Sequence, residues 1–503
     1  MLKLKTNIIT SYLSVVIQAF SMLIITRFAV NYFGSETYGL FALITSLFAY
    51  LSLANFGIPW AAATMHAQLK HKVTKQRLAK IAFGLTAVLS VIFLLAVTFV
   101  SIVSPGWINI LGEIPKGIST VAFWFVLINL IGFIVYLPFT VFSQILVFSN
   151  LSYQVKVIDA IRYLGNVVAL LLVSFIGLSI ADYAVSTVFL MLLAGIAYLI
   201  YLRRYYDSLS ASDFMDNKEQ VTAHKVLIKG GYFWLNGLAG VVIINTDAIV
   251  VSHIFGLSMV AKYSVMATFL TLALVVISQL MNVINPLYPK LLTQGVTNEK
   301  NKQKLELISN GTVVGLGFVA LLFSVIIPVF SEKILTIWLA NDTLYPGNLT
   351  SLALSLYFGM LMISLVPYSM MAVMGEARSL FKLTLLEAAL NLSLSIMLVL
   401  YVGIAGVFIG SAVANGLVTL IWCGYYVNRK YKNHIKINIW QTVSLIMLLI
   451  IVLLLSFIGQ HWIEAISYKV LFASTIILCI TCVIYTCYAK KYIKLYQMIN
   501  RSY

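Results

Sequence analysis

Apolar residues fill this chain in long blocks separated by short polar interruptions. A helix crosses a bilayer with about 20 apolar residues. Fourteen blocks reach that length: 8–33, 38–60, 80–104, 119–148, 156–177, 182–202, 229–254, 261–286, 306–330, 350–374, 382–402, 404–427, 439–459 and 467–488. The pattern predicts an all-α polytopic membrane protein with about 14 transmembrane helices. The first block follows Met-Leu-Lys-Leu-Lys and lacks a small-residue cleavage site, so it reads as a retained helix rather than a signal peptide. The longest polar stretch, about 205–227, reads as a cytoplasmic linker. The other interruptions leave no room for a catalytic or nucleotide-binding domain.

Charge fixes the orientation. The 503 residues are 61% hydrophobic and 10% charged, with a net charge of +17. Soluble domains are about 25% charged. On a soluble chain such a positive excess would point to nucleic acid, but here it points to cytoplasmic loops, because Lys and Arg resist translocation. With the N-terminus inside, 28 of the 33 basic residues fall on the cytoplasmic side. The other side holds Lys116, Lys262, Lys333 and Lys469, which leaves Arg27 inside an apolar block. The asymmetry predicts a multi-pass protein of the bacterial cytoplasmic membrane with both termini in the cytoplasm. Cys423, Cys479, Cys482 and Cys487 all lie in apolar blocks and read as lipid-facing or packing residues. The six histidines are scattered mainly in loops. No nucleophile–base pair, phosphate loop or metal spacing occurs, so no enzyme activity, cofactor, metal or nucleic-acid partner is expected.

The two halves are related. Phe33-Gly34 answers Phe255-Gly256, Asn55 and Pro59 answer Asn282 and Pro286, and Pro105 answers Pro328. Pro138 answers Pro367, Asp159 answers Glu387, and Gly177 answers Gly403, all at offsets of 222 to 229 residues. Six crossings per copy make the repeats parallel, with a substrate path between lobes. The division is 1–204 (N-lobe, helices 1–6), 205–227 (linker), 228–430 (C-lobe, helices 7–12) and 431–503 (helices 13–14, an appendage with a basic tail). That tail is expected on the inner membrane surface. Gly406 and Gly410 predict close helix packing.

Ionisable groups within spans are costly and mark candidate sites. Arg27 is either a contact for an anionic substrate or an arginine snorkelling to the headgroups. Asn7, Ser11, Ser14, Gln18 and Ser21 form a polar stripe, and Arg27 lies about 180° from Gln18 on a straight helix. Asp247 shares a face with Asn236 and Gly240, at a depth close to that of Arg27 in the opposite copy. The two could pair across the outward end of a cavity, or Asp247 could be a hydrogen-bonded structural residue. Glu387, Asn391 and Ser395 make a polar face at i, i+4 and i+8. Asp159, with Asn166 two turns on, can pair locally with Arg162. Both Glu387 and Asp159 are either structural acids or coupling sites for a proton or cation. The prolines read as hinges or static kinks.

Tyr32-Phe-Gly-Ser-Glu-Thr-Tyr-Gly-Leu-Phe41, Asn245-Thr-Asp-Ala-Ile-Val-Val251 and Lys262-Tyr263-Ser264 resemble the bacterial polysaccharide flippases. These belong to the multidrug/oligosaccharidyl-lipid/polysaccharide (MOP) exporter superfamily. The resemblance covers helices 1–12. It implies two six-helix lobes in a V-shaped, MATE-like arrangement, with two further C-terminal helices. It also implies ion-coupled flipping of undecaprenyl-pyrophosphate-linked oligosaccharides, such as O-antigen or capsule repeat units. Arg27 would meet the pyrophosphate or acidic sugars, and Asp247 and Glu387 would couple a proton or sodium ion or gate the path. Implied partners are the lipid-linked glycan, membrane lipids, a polysaccharide polymerase and a chain-length regulator. The chain departs from the family at Asn55, where an acid is frequent, so no role of that acid is carried over. Fourteen helices are similar to the peptidoglycan-precursor branch, whose richer set of cavity arginines is missing here. Competing readings are a drug/cation antiporter of the same superfamily and a membrane glycosyltransferase or polymerase. The short outside loops argue against the last.

Overall fold

A computed structural model describes residues 2–484 except 70, 105–106, 108–113, 115–116, 118, 210–221, 286, 289–298, 375, 432–436 and 463–465. Much of the linker, the tail beyond 484, Pro105 and Pro286 therefore lie outside the described residues, as do the side chains of Asn7, Ser11, Asn236 and Asn282. Every regular element among the described residues is helical. Twelve helices are long and apolar enough to cross a membrane. Two shorter apolar helices, Gly240–Phe255 and Phe472–Thr481, fall in the seventh and fourteenth blocks, so each predicted block has its helix.

Two compact units divide the chain: Met1–Val241 with Val251–Ala261, and Val242–Val250 with Lys262–Tyr503. In sequence order the first half forms α1 (Leu2–Phe33), α2 (Ser35–Ser52), α3 (Ile58–Gln68), α4 (Lys72–Val103), α5 (Ser119–Tyr136), α6 (Thr140–Leu146), α7 (Ser152–Ile176) and α8 (Ile180–Asp207). Helix α9 (Ala223–Phe255) and then α10 (Leu257–Ile284) follow. The chain continues through α11 (Glu299–Leu339), α12 (Asn348–Val373), α13 (Ala377–Val402), α14 (Ile404–Asn415), α15 (Gly424–Lys430), α16 (Ile439–Trp462) and α17 (Ile466–Ile484).

Glycines mark the repeat in backbone geometry. Gly34 ends α1 with φ 85° and ψ 167°, and Gly256 ends α9 with φ 79° and ψ 179°. A positive φ of this kind is open to glycine and costly for residues with a Cβ. Gly177 and Gly403 also take positive φ, each ending the fifth crossing of its copy. The prolines repeat less faithfully. Pro138 sits in a 3-10 turn at Leu137–Phe139, whereas Pro367 is carried inside α12. Pro328 lies within α11, which runs on to Leu339 instead of ending there.

In the first unit, α3, α4, α6, α7 and α8 close around Ile58, Leu78, Phe142, Ile145, Tyr198 and Leu202. The second crossing is broken before α3. Asn55 Oδ1 accepts the Gly57 amide at 2.8 Å, and a Cβ on Gly57 would stand 2.3 Å from the Gly230 carbonyl oxygen. Asn55 therefore shapes this turn. His66 is not a loop residue: it is fully buried in α3, with Nε2 3.1 Å from the Tyr206 hydroxyl. Burial, and then the nearby Lys75 charge, lower its pKa to about 4 and keep the ring neutral.

In the second unit, α16 and α17 pack on the core. Leu445, Leu449 and Ala473 join the core formed by α11 and α12. Gly317 and Gly359 leave room for Leu445 and Leu449, and Ser456 Oγ donates to the Ser324 carbonyl at 2.9 Å. At the far end of α15, Glu376 accepts from Lys430 Nζ, Tyr426 Oη and Tyr431 Oη, each at 2.7 Å.

Candidate functional site

The second unit holds a polar seam in otherwise apolar surroundings. Helices α13 and α14 run antiparallel, joined at Gly403. A Cβ on Gly406 would lie 2.3 Å from the Leu398 carbonyl carbon, and one on Gly410 2.8 Å from the Ser395 amide nitrogen. The small residues thus bring the two backbones together, as the spacing of the glycines predicts. Glu387, Asn391 and Ser395 face this contact from α13. Ser411 and Asn415 face it from α14, and Thr419 from the π-helical segment Gly416–Cys423 that continues it.

The antiparallel rows pair in register. Asn415 Nδ2 donates to Glu387 Oε1 at 2.9 Å, and Thr419 Oγ1 donates to Glu387 Oε2. One turn along, Asn391 Nδ2 donates to Ser411 Oγ at 2.8 Å. Beyond that, Ser395 Oγ lies 3.4 Å from the Val407 carbonyl oxygen. The π-helical segment has a wider turn than an α-helix, and such segments recur at functional sites. Ser364 of α12 reaches Asn415 Oδ1 at 2.9 Å.

Asp247 enters from α9 and closes the Ser395 end of the seam. Ser411 Oγ donates to its Oδ2 at 3.2 Å and Ser395 Oγ to its Oδ1 at 3.4 Å. Asp247 is 3% exposed and Glu387 4%. Among the described residues neither has an ion-pair partner; the described pairs are Arg162–Asp159 and Lys430–Glu376. Asn391 Oδ1 is buried with no hydrogen-bond partner. A charged carboxylate held by neutral donors alone is destabilised by several kcal/mol at this burial. A proton or a small cation removes that penalty. The groups on Asp247 are two hydroxyl oxygens, and hard oxygens of this kind suit a hard cation. Among the described residues no group of three His, Cys, Asp or Glu gathers.

The first unit handles its acid differently. Asp159 of α7 accepts from Tyr198 Oη of α8 at 2.8 Å and pairs with Arg162 at 3.5 Å. That local pair is the one the sequence suggests. Arg162 Nε, one turn on, and Asn166 Oδ1, two turns on, are buried without partners.

Helix α1 is unbroken from Leu2 to Phe33. Ser14 and Ser21 are buried and Gln18 is half-buried, while Arg27 is exposed on the same stripe as Leu13, Val16, Phe20 and Ile24. Arg27 therefore does not join the face of the Gln18 stripe. Arg27 and Asp247 belong to different units, and their pairing is taken up only as a proposal. The side chain of Asn236 lies outside the described residues.

Sequence reading missed Ser364, Tyr198 and the row Ser411, Asn415 and Thr419. The row had a readable signal, since its i, i+4, i+8 spacing is the rule that exposed Glu387, Asn391 and Ser395. Ser364 and Tyr198 had none.

Known structures match this architecture. A multidrug resistance MATE family transporter of the MOP superfamily, inward-facing, aligns with a TM-score of 0.66 at 14% identity, covering 84% of this chain and 99% of its own. The lipid II flippase MurJ, in an inward closed conformation, aligns with a TM-score of 0.66 at 14% identity over 95% of this chain and 98% of its own. A MOP superfamily transporter from Pyrococcus furiosus aligns with a TM-score of 0.61 at 16% identity over 85% and 95%. No curated protein matches the chain. The chain is thus a multi-pass membrane protein with the MATE/MurJ fold of MOP superfamily transporters. It belongs to the polysaccharide biosynthesis protein family, whose model matches residues 4–292.

Proposed function

We propose that the protein flips undecaprenyl-pyrophosphate-linked oligosaccharide repeat units from the inner to the outer leaflet of the bacterial cytoplasmic membrane. Transport is coupled to a proton or sodium ion through alternating access. The observation that carries this reading is Asp247, a buried carboxylate held by neutral oxygen donors beside the orphaned Asn391 carbonyl. It serves as the coupling seat, filled by the ion in one state and emptied in the other. Glu387, held by Asn415 and Thr419, gates the inner end of the same seam. Arg27 contacts the substrate phosphate, and a pair with Asp247 would form only in a state other than the one seen here. Family membership supports a glycan cargo. The coverage by the MurJ structure, 95% against 84% for the MATE transporter, supports a lipid-linked one.

Gene deletion tests the reading. Surface glycan should vanish while lipid-linked units accumulate on the inner leaflet. Normal glycan with increased drug sensitivity would overturn it in favour of a drug/cation antiporter.

A further inference from the structure

Helix α3 is a segment of 11 residues with a break in the helical backbone at each end. Before it, Phe56 takes φ 49° and ψ 31°, and Gly57 takes φ 67°. Both lie in the left-handed region, which favours glycine, so the phenylalanine is strained. Strain of this kind persists only where the surroundings impose it. Here Asn55 Oδ1 holds the Gly57 amide, and the Phe56 ring stacks on Trp234 with centroids 5.6 Å apart. Gly57 rests against the Gly230 carbonyl with no room for a Cβ. After α3, Leu69 and His71 are extended, with ψ 144° and 133°.

The hold on α3 between these breaks is light. Its buried side chains include Ala61, Ala62 and Ala63, and alanines bury little apolar surface. The polar hold is His66. Its Nε2 lies 3.1 Å from the Tyr206 hydroxyl of α8, and its Nδ1 3.5 Å from the Ser149 hydroxyl. Tyr206 Oη donates in turn to the Lys75 carbonyl of α4 at 3.5 Å. Two of these three contacts are long for hydrogen bonds. Ser149 belongs to a π-helical segment, Val147–Leu151, and such segments recur at functional sites. Tyr205 of α8 and the Lys75 ammonium also face the ring, and Lys72 is turned to the Leu209 carbonyl at 3.4 Å. The Asp247 seam makes no use of this cluster.

We propose that α3 is a lever that swings about the Phe56–Gly57 turn and is latched by His66, so that acid releases it. In the latched position burial, and then the Lys75 charge, lower the His66 pKa to about 4. A released ring meets water and returns to about 6.5. The released position therefore binds the proton more tightly. The latch is at full strength above about pH 6.5 and weakens as pH falls from there toward the latched value. Between pH 7.5 and pH 5.5 the released population should rise about tenfold.

Amide hydrogen exchange of the full-length protein in detergent, read by mass spectrometry, tests this. Rates are corrected for the intrinsic pH dependence of exchange. The amides of α3 should then exchange about tenfold faster at pH 5.5 than at pH 7.5. Amides of α12, in the other unit, are the internal reference and should keep their corrected rate. H66Q removes the titration and keeps a donor for Tyr206, so its corrected rates at the two pH values should agree. His71 stays in place in H66Q and would preserve the ratio if it were the titrating group. G57A, whose Cβ would stand 2.3 Å from the Gly230 carbonyl oxygen, should raise α3 exchange severalfold at pH 7.5. Equal corrected rates in the parent, a pH ratio that survives in H66Q, or an α3 rate in G57A equal to that of the parent overturns the proposal. The parent comparison needs no substitution and decides the matter where a variant fails to fold.

Discussion

Asp159 and Glu387 occupy matching places in the two copies of the repeat, 228 residues apart, yet their surroundings differ. Asp159 is partly exposed and has a cation, Arg162, on its own helix. Glu387 is buried and meets only the neutral donors Asn415 and Thr419. Asp247, in the same unit as Glu387, is likewise held by hydroxyls. An acid with a counter-ion on its own helix needs no exchangeable ion to balance it. An acid with neutral partners needs an exchangeable proton or ion. A repeated fold therefore need not repeat its chemistry, and chemistry is argued from the site.

The sharpest way to break this comparison is to neutralise both kinds of acid. D247N should lower glycan export by about tenfold or more, the effect of losing a charge with no resident counter-ion. D159N, whose charge is already balanced, should lower export less than about threefold. Complementation of a deletion strain at matched expression measures both. Equal losses would erase the distinction between the units.

Packing should matter next. A Cβ on Gly410 would stand 2.8 Å from the Ser395 amide nitrogen. G410L should push α14 off α13 and lower stability by about 1–3 kcal/mol, the usual cost of overpacking. Thermal unfolding in detergent reads this, and an unchanged midpoint would deny that the seam depends on backbone contact. E387Q keeps both hydrogen bonds possible and removes the titratable charge. It should slow export by a smaller factor than D247N while leaving the unfolding midpoint within a few degrees. An effect equal to that of D247N would place Glu387 in the coupling seat itself.

The smallest effect lies at the Glu376 latch. Burial alone would raise the Glu376 pKa, but the bonds from Lys430, Tyr431 and Tyr426 outweigh it and hold the carboxyl below its usual 4.5. Its folded value is thus depressed. The latch contributes stability above pH 4.5, and the contribution fades as pH falls through the folded value. E376Q should flatten the pH dependence of thermal unfolding below pH 4.5. An identical pH profile in variant and parent would remove the latch from the account.

Much of the fold was legible in the sequence because a bilayer imposes a length rule. Each crossing must satisfy its backbone internally, so it shows as a long apolar block. Gly34 and Gly256 were legible as matched breaks because a helix end with positive φ favours glycine. The polar face of Glu387, Asn391 and Ser395 was legible because four-residue spacing stacks side chains on one helix face. Its partners were only half legible. Ser411, Asn415 and Thr419 follow the same spacing, but serine and threonine also occur in spans bonded to their own backbone, as Ser393 is to the Ala389 carbonyl. Composition cannot separate the two uses.

Arg27 shows the limit from the other side. Periodicity placed it opposite Gln18, and the unbroken α1 keeps it there. Which of those two faces is apolar and exposed depends on where α7 packs, and no local rule encodes that. The sequence by itself determined the membrane class, about how many apolar blocks could cross and the rarity of buried charge, because each follows from the cost of polar groups in hydrocarbon. Tertiary structure alone decided that Asp247 meets Ser395 and Ser411, that Glu387 meets Asn415 and Thr419, and that Arg27 is left exposed on α1. Those pairings join residues up to 164 positions apart, and they exist only once Gly406 and Gly410 have let two backbones close to contact.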